Sequence, residues 1–265
     1  MLRFRVSEVH TSAQGTRFFP FPQRSALPGV RLFVFPHAGG SASAFQSWKK
    51  YLPDSVELRA AQLPGREARY SEGPVSDWRE IAAGACAEIA LLNDAPIVLF
   101  GHSMGSLLAF EVARCLRRDH EVNIAALVVS GHCAPQVQPR SPDVRHLHGR
   151  ELLERLSELY GGIPPEALSE PELVNLIAPM VKADVTLVET YEYVDELPLH
   201  CPVQAFAGKS DPWVDPQELA LWNRQTTGDF RSTLLMGDHF YLRNQLMERI
   251  LLSRIVDLCE GLPKR

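Results

Sequence analysis

Six short strand-like runs recur along the chain, and stretches with the period of an amphipathic helix separate most of them. The runs fall at 30–35 (VRLFVF), 56–61, 96–101 (PIVLFG), 125–130 (AALVVS), 202–208 (PVQAFAG) and 230–236. Several are continuously apolar rather than alternating, which suits strands covered on both faces. Helical patterns occupy 76–92, 103–118, 216–225 and 240–259. In the last, Leu242, Leu246, Ile250, Ile255 and Leu258 recur at helical spacing and predict an amphipathic closing helix. This alternation predicts an α/β fold with a mostly parallel twisted sheet and helices on both faces. One stretch breaks the rhythm. Residues 138–196 show only helical pattern, interrupted by Gly161-Gly162, Pro164-Pro165, Pro171 and Pro179. A structureless connection that long is unusual in a compact domain, so the expectation is a helical lid inserted into the fold. Residues 1–15 are polar and aperiodic, and read as a loose leader before a single domain over 16–265.

Composition narrows the function classes. No run of about 18 apolar residues exists, so no segment qualifies as a membrane span. Lys and Arg number 27 against 32 Asp and Glu, and a net charge of −5 lacks the basic footprint of a nucleic-acid binder. The N-terminus has no apolar core of secretory length, which points to the cytoplasm. The five cysteines, at 86, 115, 133, 201 and 259, contain no C-x-x-C and no zinc spacing. They are expected as free buried thiols, with no metal site.

The chemistry gathers at Gly101-His102-Ser103-Met104-Gly105, directly after the strand PIVLFG and before a helical run. This is G-x-S-x-G in the strand–turn–helix setting that gives the motif meaning. A sharp turn raises the Ser103 hydroxyl above the sheet edge, and glycines two residues either side avoid a Cβ clash. The following helix aims its N-terminus at the serine, where developing negative charge is stabilised.

A serine hydroxyl needs a base held by a carboxylate, and in this architecture the chain order is Ser, acid, His. Six histidines follow Ser103. His120 ends a charged helix, His146 and His148 fall in the lid, and His200 precedes a strand at the wrong sheet edge. His132 precedes every plausible acid. His239, in Met236-Gly237-Asp238-His239-Phe240 after the last strand, sits at the ligand-binding edge and is the candidate base. The acid should follow the penultimate strand, which makes Asp211 the candidate and Asp215 the runner-up; Asp238 is too close to His239 to orient it easily. Two backbone N–H groups should form an oxyanion hole: that of Met104, and one from the turn Pro36-His37-Ala38-Gly39-Gly40. His37 reads as shaping that turn. Glu111, on one helix face with Met104, Leu108 and Cys115, reads as structural, and Asp184 as a residue packing the lid.

Five motifs occur in order: F-P-H-A-G-G (35–40), L-P-G-R-E (63–67), F-G-H-S-M-G (100–105), A-D-V-T-L-V-E-T-Y (183–191) and G-D-H-F-Y-L (237–242). Together they resemble the type II thioesterases, discrete α/β-hydrolases associated with polyketide, nonribosomal peptide and fatty acid synthases. The resemblance covers roughly residues 16–260. It implies a triad of Ser103, Asp211 and His239, and oxyanion donors at Ala38 and Met104. It further implies hydrolysis of short, stalled or aberrant acyl groups from the phosphopantetheine thiol of an acyl or peptidyl carrier protein. No metal and no cofactor of the enzyme's own is implied, since the phosphopantetheine belongs to the substrate; a monomer is expected. Carrier proteins are usually acidic, so docking to this acidic chain would need a local basic patch. Arg140, Arg145 and Arg150 are candidates, against the simpler reading of a solvated surface. The residues alone leave open a carboxylesterase or an acyltransferase, and a non-catalytic carrier-protein binder.

Overall fold

The computed structural model describes residues 16–21, 28–138, 140 and 142–262, so the expected leader at 1–15 lies outside the described residues. Six strands form one sheet: β1 (Val30–Phe35), β2 (Val56–Ala60), β3 (Ile97–His102), β4 (Ala126–Ser130), β5 (Val203–Gly208) and β6 (Phe230–Leu235). Every pairing is parallel, in the order β2-β1-β3-β4-β5-β6. The chain leaves β1 toward one edge to form β2, then crosses back to lay β3 on the other side of β1. That reversal opens a crevice above the carboxyl ends of β1 and β3, where sheets of this kind bind ligands.

The described helices are α1 (Trp78–Ala90), α2 (Met104–His120), α3 (Gly149–Tyr160), α4 (Pro165–Ser169), α5 (Pro171–Glu189), α6 (Pro216–Ala220) and α7 (Gln245–Glu260). Neighbouring strand residues point to opposite faces, and both faces are apolar. Phe33, Phe35, Leu99 and Val129 pack under α1 and α2 through Ile81, Ile89, Leu108 and Val112. Leu32, Val34, Val98 and Phe100 pack on the other side against Trp48, Leu251 and Ile255. Burial on both sides is why β1, β3 and β4 read as continuous apolar runs, whereas β2 carries Glu57 and Arg59 and the edge strand β6 is partly exposed.

The closing helix departs from its expected face. Asn244 caps α7 by accepting the Leu246 and Met247 N–H groups, so regular helix begins at 245 and Tyr241–Arg243 forms a separate 3-10 turn. The buried stripe is Met247, Leu251, Leu252, Ile255 and Cys259, whereas Leu246 is 62% exposed. With apolar residues on more than one side, periodicity alone could not choose which stripe the sheet would cover.

Three helices, α3 to α5, occupy the stretch read as a lid and enclose a core of their own, built from Leu152, Leu153, Val174, Ala178, Val181 and Val185. The expected breaks take different roles. Gly161 ends α3 with φ +67, and Pro165 and Pro171 sit in the first turns of α4 and α5, where a missing N–H costs nothing. Pro179 lies inside α5 without ending it. Val174 and Ala178 before it, and Val181 and Val185 after it, are packed into the lid core, which holds the helix across the lost backbone bond.

All five cysteines are free and buried. Burial pushes the Cys133, Cys201 and Cys259 thiols up to about 12. Chain spacing concealed one cluster: the sulfurs of Cys86 and Cys115 and a ring nitrogen of His120 lie within 4.8 Å of one another. Three donors fall short of a closed structural zinc site, and the neighbouring Asp119 already accepts Arg118 on both oxygens. No helix among the described residues is long and apolar enough to cross a membrane.

Candidate active site

Ser103 stands between β3 and α2 with φ 55 and ψ −120, a strained conformation for a residue with a side chain. Its neighbours explain how the turn closes. A Cβ on Gly101 would lie 1.9 Å from the Gly105 carbonyl oxygen, and a Cβ on Gly105 would lie 2.2 Å from that of Phe35. Beneath the turn, the Ser106 hydroxyl donates to the Gly101 carbonyl and accepts the Ser130 N–H, tying β3 to β4. The motif therefore presents a half-buried hydroxyl on a hydrogen-bonded base.

His239 follows β6 and reaches back across the sheet edge. Its Nε2 lies 2.9 Å from the Ser103 Oγ, and its Nδ1 lies 2.8 Å from the Asp211 Oδ2. Asp211 follows β5, and its Oδ1 accepts the Trp213 N–H at 3.0 Å, which fixes the carboxylate's rotation. With Nδ1 donating to Asp211, Nε2 is free to accept the serine proton. Both His239 and Asp211 are buried. Asp215, the alternative acid, instead caps α6 by accepting the Gln217 N–H. Asp238 accepts the Phe240 N–H.

Two candidate oxyanion donors come from residues near the serine. Met104 opens α2, so its N–H has no helical acceptor. Ala38 lies in the turn after β1, beside β3, and lines one cavity with Ser103 and His239. That cavity encloses about 260 Å³ and runs under the lid between Ile163, Ile177, Val181 and Val185. Its lining is mainly apolar, and its volume falls just below the roughly 300–1,000 Å³ usual for small-molecule sites.

The family-model comparison matches residues 30–258 to the thioesterase domain. This chain belongs to the thioesterase family. The thioesterase is 36% identical to the gramicidin S biosynthesis protein GrsT of Aneurinibacillus migulanus, across 90% of this chain and 93% of that protein. Among solved structures it superposes on RedJ, a thioesterase from the prodiginine biosynthetic pathway of Streptomyces coelicolor, with a TM-score of 0.80 at 34% identity; the match covers 88% and 91% of the two chains. YbtT, a type II thioesterase from the yersiniabactin NRPS/PKS pathway, superposes with a TM-score of 0.79 at 29% identity, over 88% and 94%. The thioesterase is thus a thioester hydrolase with the α/β-hydrolase fold, as the five motifs implied.

The remaining candidates fall into place around the thioesterase's site. The His37 ring packs on Phe240 at 5.1 Å and on His102 at 5.9 Å; burial pushes its pKa down to about 4, so it is neutral near pH 7. Glu111 is buried, accepts the Tyr191 hydroxyl at 2.6 Å and pairs with Arg114, a structural role. His132 gives its Nδ1 to the Cys133 carbonyl. Arg140 pairs with Glu218 and Asp215, Arg145 with Asp143 and Glu189, and Arg150 donates to the Leu168 carbonyl. Two of the three candidate docking arginines are therefore already neutralised. A layer unseen in the sequence lies behind the histidine: His102 Nδ1 meets the Ser130 hydroxyl at 2.8 Å, and that hydroxyl meets the Tyr241 hydroxyl at 2.5 Å. His102 and Tyr241 each fall in one of the five motifs, but Ser130 does not, and no spacing along the chain shows that residues of β3, β4 and the turn before α7 meet.

Proposed function

We propose that this thioesterase removes modest-sized acyl groups, stalled or aberrant ones, from the phosphopantetheine thiol of acyl or peptidyl carrier proteins in a polyketide or nonribosomal peptide synthase. The observation that carries this is the unbroken hydrogen-bonded line Ser103–His239–Asp211 at the floor of a small apolar cavity. The descriptions of GrsT, RedJ and YbtT as biosynthetic proteins support the pathway class.

In the reaction, the Ser103 Oγ attacks the thioester carbonyl while His239 Nε2 takes its proton, and Asp211 stabilises the imidazolium through Nδ1. The carbonyl oxygen becomes an oxyanion held by the Ala38 and Met104 N–H groups. Its collapse breaks the C–S bond, and the thiolate takes the proton from His239. Thiols ionise near 8.5, so this leaving group is easier to expel than an amine. Water, deprotonated by His239, then hydrolyses the acyl-Ser103 ester. Every step uses protein groups and water, so no resident cofactor or metal is required. Residues 16–265 act as one domain, with 138–196 as the lid that bounds the acyl chamber; the protein works as a cytoplasmic monomer.

The test compares the purified enzyme on acyl groups loaded on a carrier protein, on acyl-pantetheine and on aryl esters. The expected result is the highest kcat/KM on the carrier, and a loss on the order of 10⁴-fold or more in Ser103→Ala together with loss of fluorophosphonate labelling. Unchanged turnover in Ser103→Ala, or a preference for aryl esters, overturns the reading.

A further inference from the structure

The lid helix reaches into the turn after β1. Asp184, on α5, has no exposed surface, and its Oδ2 accepts the Gly39 N–H at 2.7 Å. Arg66, from the loop after β2, grips the same carboxylate with both terminal nitrogens, 2.7 Å to Oδ2 and 2.6 Å to Oδ1. Arg66 Nη1 also donates to the Gly40 carbonyl at 2.9 Å. One guanidinium and one carboxylate thus hold the turn by a carbonyl and an amide at once. The Arg66 loop is tied to the same region, since Gln62 donates to the Arg66 carbonyl and accepts the Ala42 N–H. Val181, one turn before Asp184 on α5, packs where a Cβ on Gly39 would meet its Cγ2 at 3.3 Å. Gly39 itself has φ +79, which favours glycine.

A buried ion pair is a poor device for merely fastening a lid, because well-packed apolar side chains of similar volume often stabilise as much or more. What an apolar pair cannot do is accept a backbone N–H. Of three successive amides in this turn, Gly39 donates to Asp184 and Gly40 to the His37 carbonyl. The Ala38 N–H between His37 and Gly39 has no acceptor among the described residues, and Ala38 lines the cavity with Ser103.

We propose that Asp184 and Arg66 are positioning residues of the oxyanion hole: they fix the 37–40 turn so that the Ala38 N–H faces the carbonyl attacked by Ser103, and they link that hole to the lid. The proposal rests on the reading of Ala38 as an oxyanion donor. A displacement of α5 would carry Asp184 away from Gly39 and release the turn. The acyl chamber and the oxyanion hole are then assembled together, by one helix.

The test uses two probes of the intact enzyme: an acyl trifluoromethyl ketone, whose hemiketal with Ser103 places an oxyanion in the hole, and the matching methyl ketone, which fills the chamber with little hemiketal. Asp184→Ala is expected to lower kcat and trifluoromethyl ketone affinity together by about 10²–10³-fold, while KM and methyl ketone affinity stay within about threefold. Arg66→Lys, which keeps the charge but loses the two-pronged grip, is expected to give the same pattern at about tenfold. It also serves if Asp184→Ala fails to fold. If the variants weaken both ketones and raise KM while keeping kcat, the pair holds only the lid and the proposal is overturned. If the unmodified enzyme itself fails to distinguish the two ketones, it is the reading of Ser103 and Ala38 that falls.

Discussion

A carboxylate and an amide have nearly the same shape at position 211, but only the carboxylate both holds His239 in the tautomer with Nδ1 protonated and stabilises the imidazolium. Asp211→Asn is accordingly expected to lower kcat by about 10⁴-fold with little change in KM, measured by steady-state kinetics on acyl-pantetheine. The glycines of the turn act on the fold instead. A Cβ on Gly101 would lie 1.9 Å from a backbone oxygen, and the β3–α2 junction has no side chain there to yield. Gly101→Ala is expected to cost more than about 4 kcal/mol, or to prevent accumulation of folded protein, as read by urea unfolding. Ser103 and His239 were legible because the nucleophile has a motif and the base follows the last strand in a fixed chain order. Asp211 stood ahead of Asp215 as the candidate acid, but less sharply, since both follow β5. The structure separates them by what each carboxylate accepts: the His239 ring in one case, the first turn of α6 in the other. Asp184 read as lid packing because its partners, Arg66 and Gly39, lie 118 and 145 residues away.

At the scale of elements, the six strands lie within a residue or two of their expected ends; in β1, β3, β4 and most of β5, burial on both faces writes a dense apolar signal, whereas β6 is an edge strand with exposed residues. Helix faces were harder to read. In α7 apolar residues lie on more than one side, Leu246 and Ile250 among them, and the sheet covers the side carrying Met247, Leu251, Leu252, Ile255 and Cys259. Asn244→Ala removes the acceptor for two otherwise unpaired N–H groups, and is expected to destabilise the protein by about 1 kcal/mol, seen as a lower urea midpoint at unchanged m. The lid shows the complementary case. Its helical content was visible, yet Pro179 looked like a break, and only the packing of Val181 and Val185 into the lid core explains why α5 continues.

For the whole molecule, closing the sheet edge under a lid buries imidazoles around the site. Burial depresses His37 to about 4, and also lowers His102 and His132. In the unfolded chain a histidine takes its proton near 6.5. Between 6.5 and the folded value the unfolded state therefore binds more protons, so stability is full above pH 6.5 and falls as pH drops toward 4. Each such group contributes a slope of up to about 1.4 kcal/mol per pH unit in that window. His37→Gln is expected to flatten the urea-unfolding profile between pH 6.5 and 4 relative to the unmodified protein; parallel profiles would show that His37 keeps its ordinary pKa. By itself, the sequence determined the alternating parallel architecture and singled out Ser103 and His239 as candidate nucleophile and base, since hydrophobic period and motif order are local properties of a chain. Only the tertiary structure showed the runner-up Asp215 occupied elsewhere while Asp211 meets the histidine, which stripe of α7 is buried, and that one carboxylate of the lid holds the turn beside the serine. Those are contacts between segments more than a hundred residues apart, or choices between equivalent neighbours, and no local pattern encodes which partner the folded sheet brings within hydrogen-bonding distance.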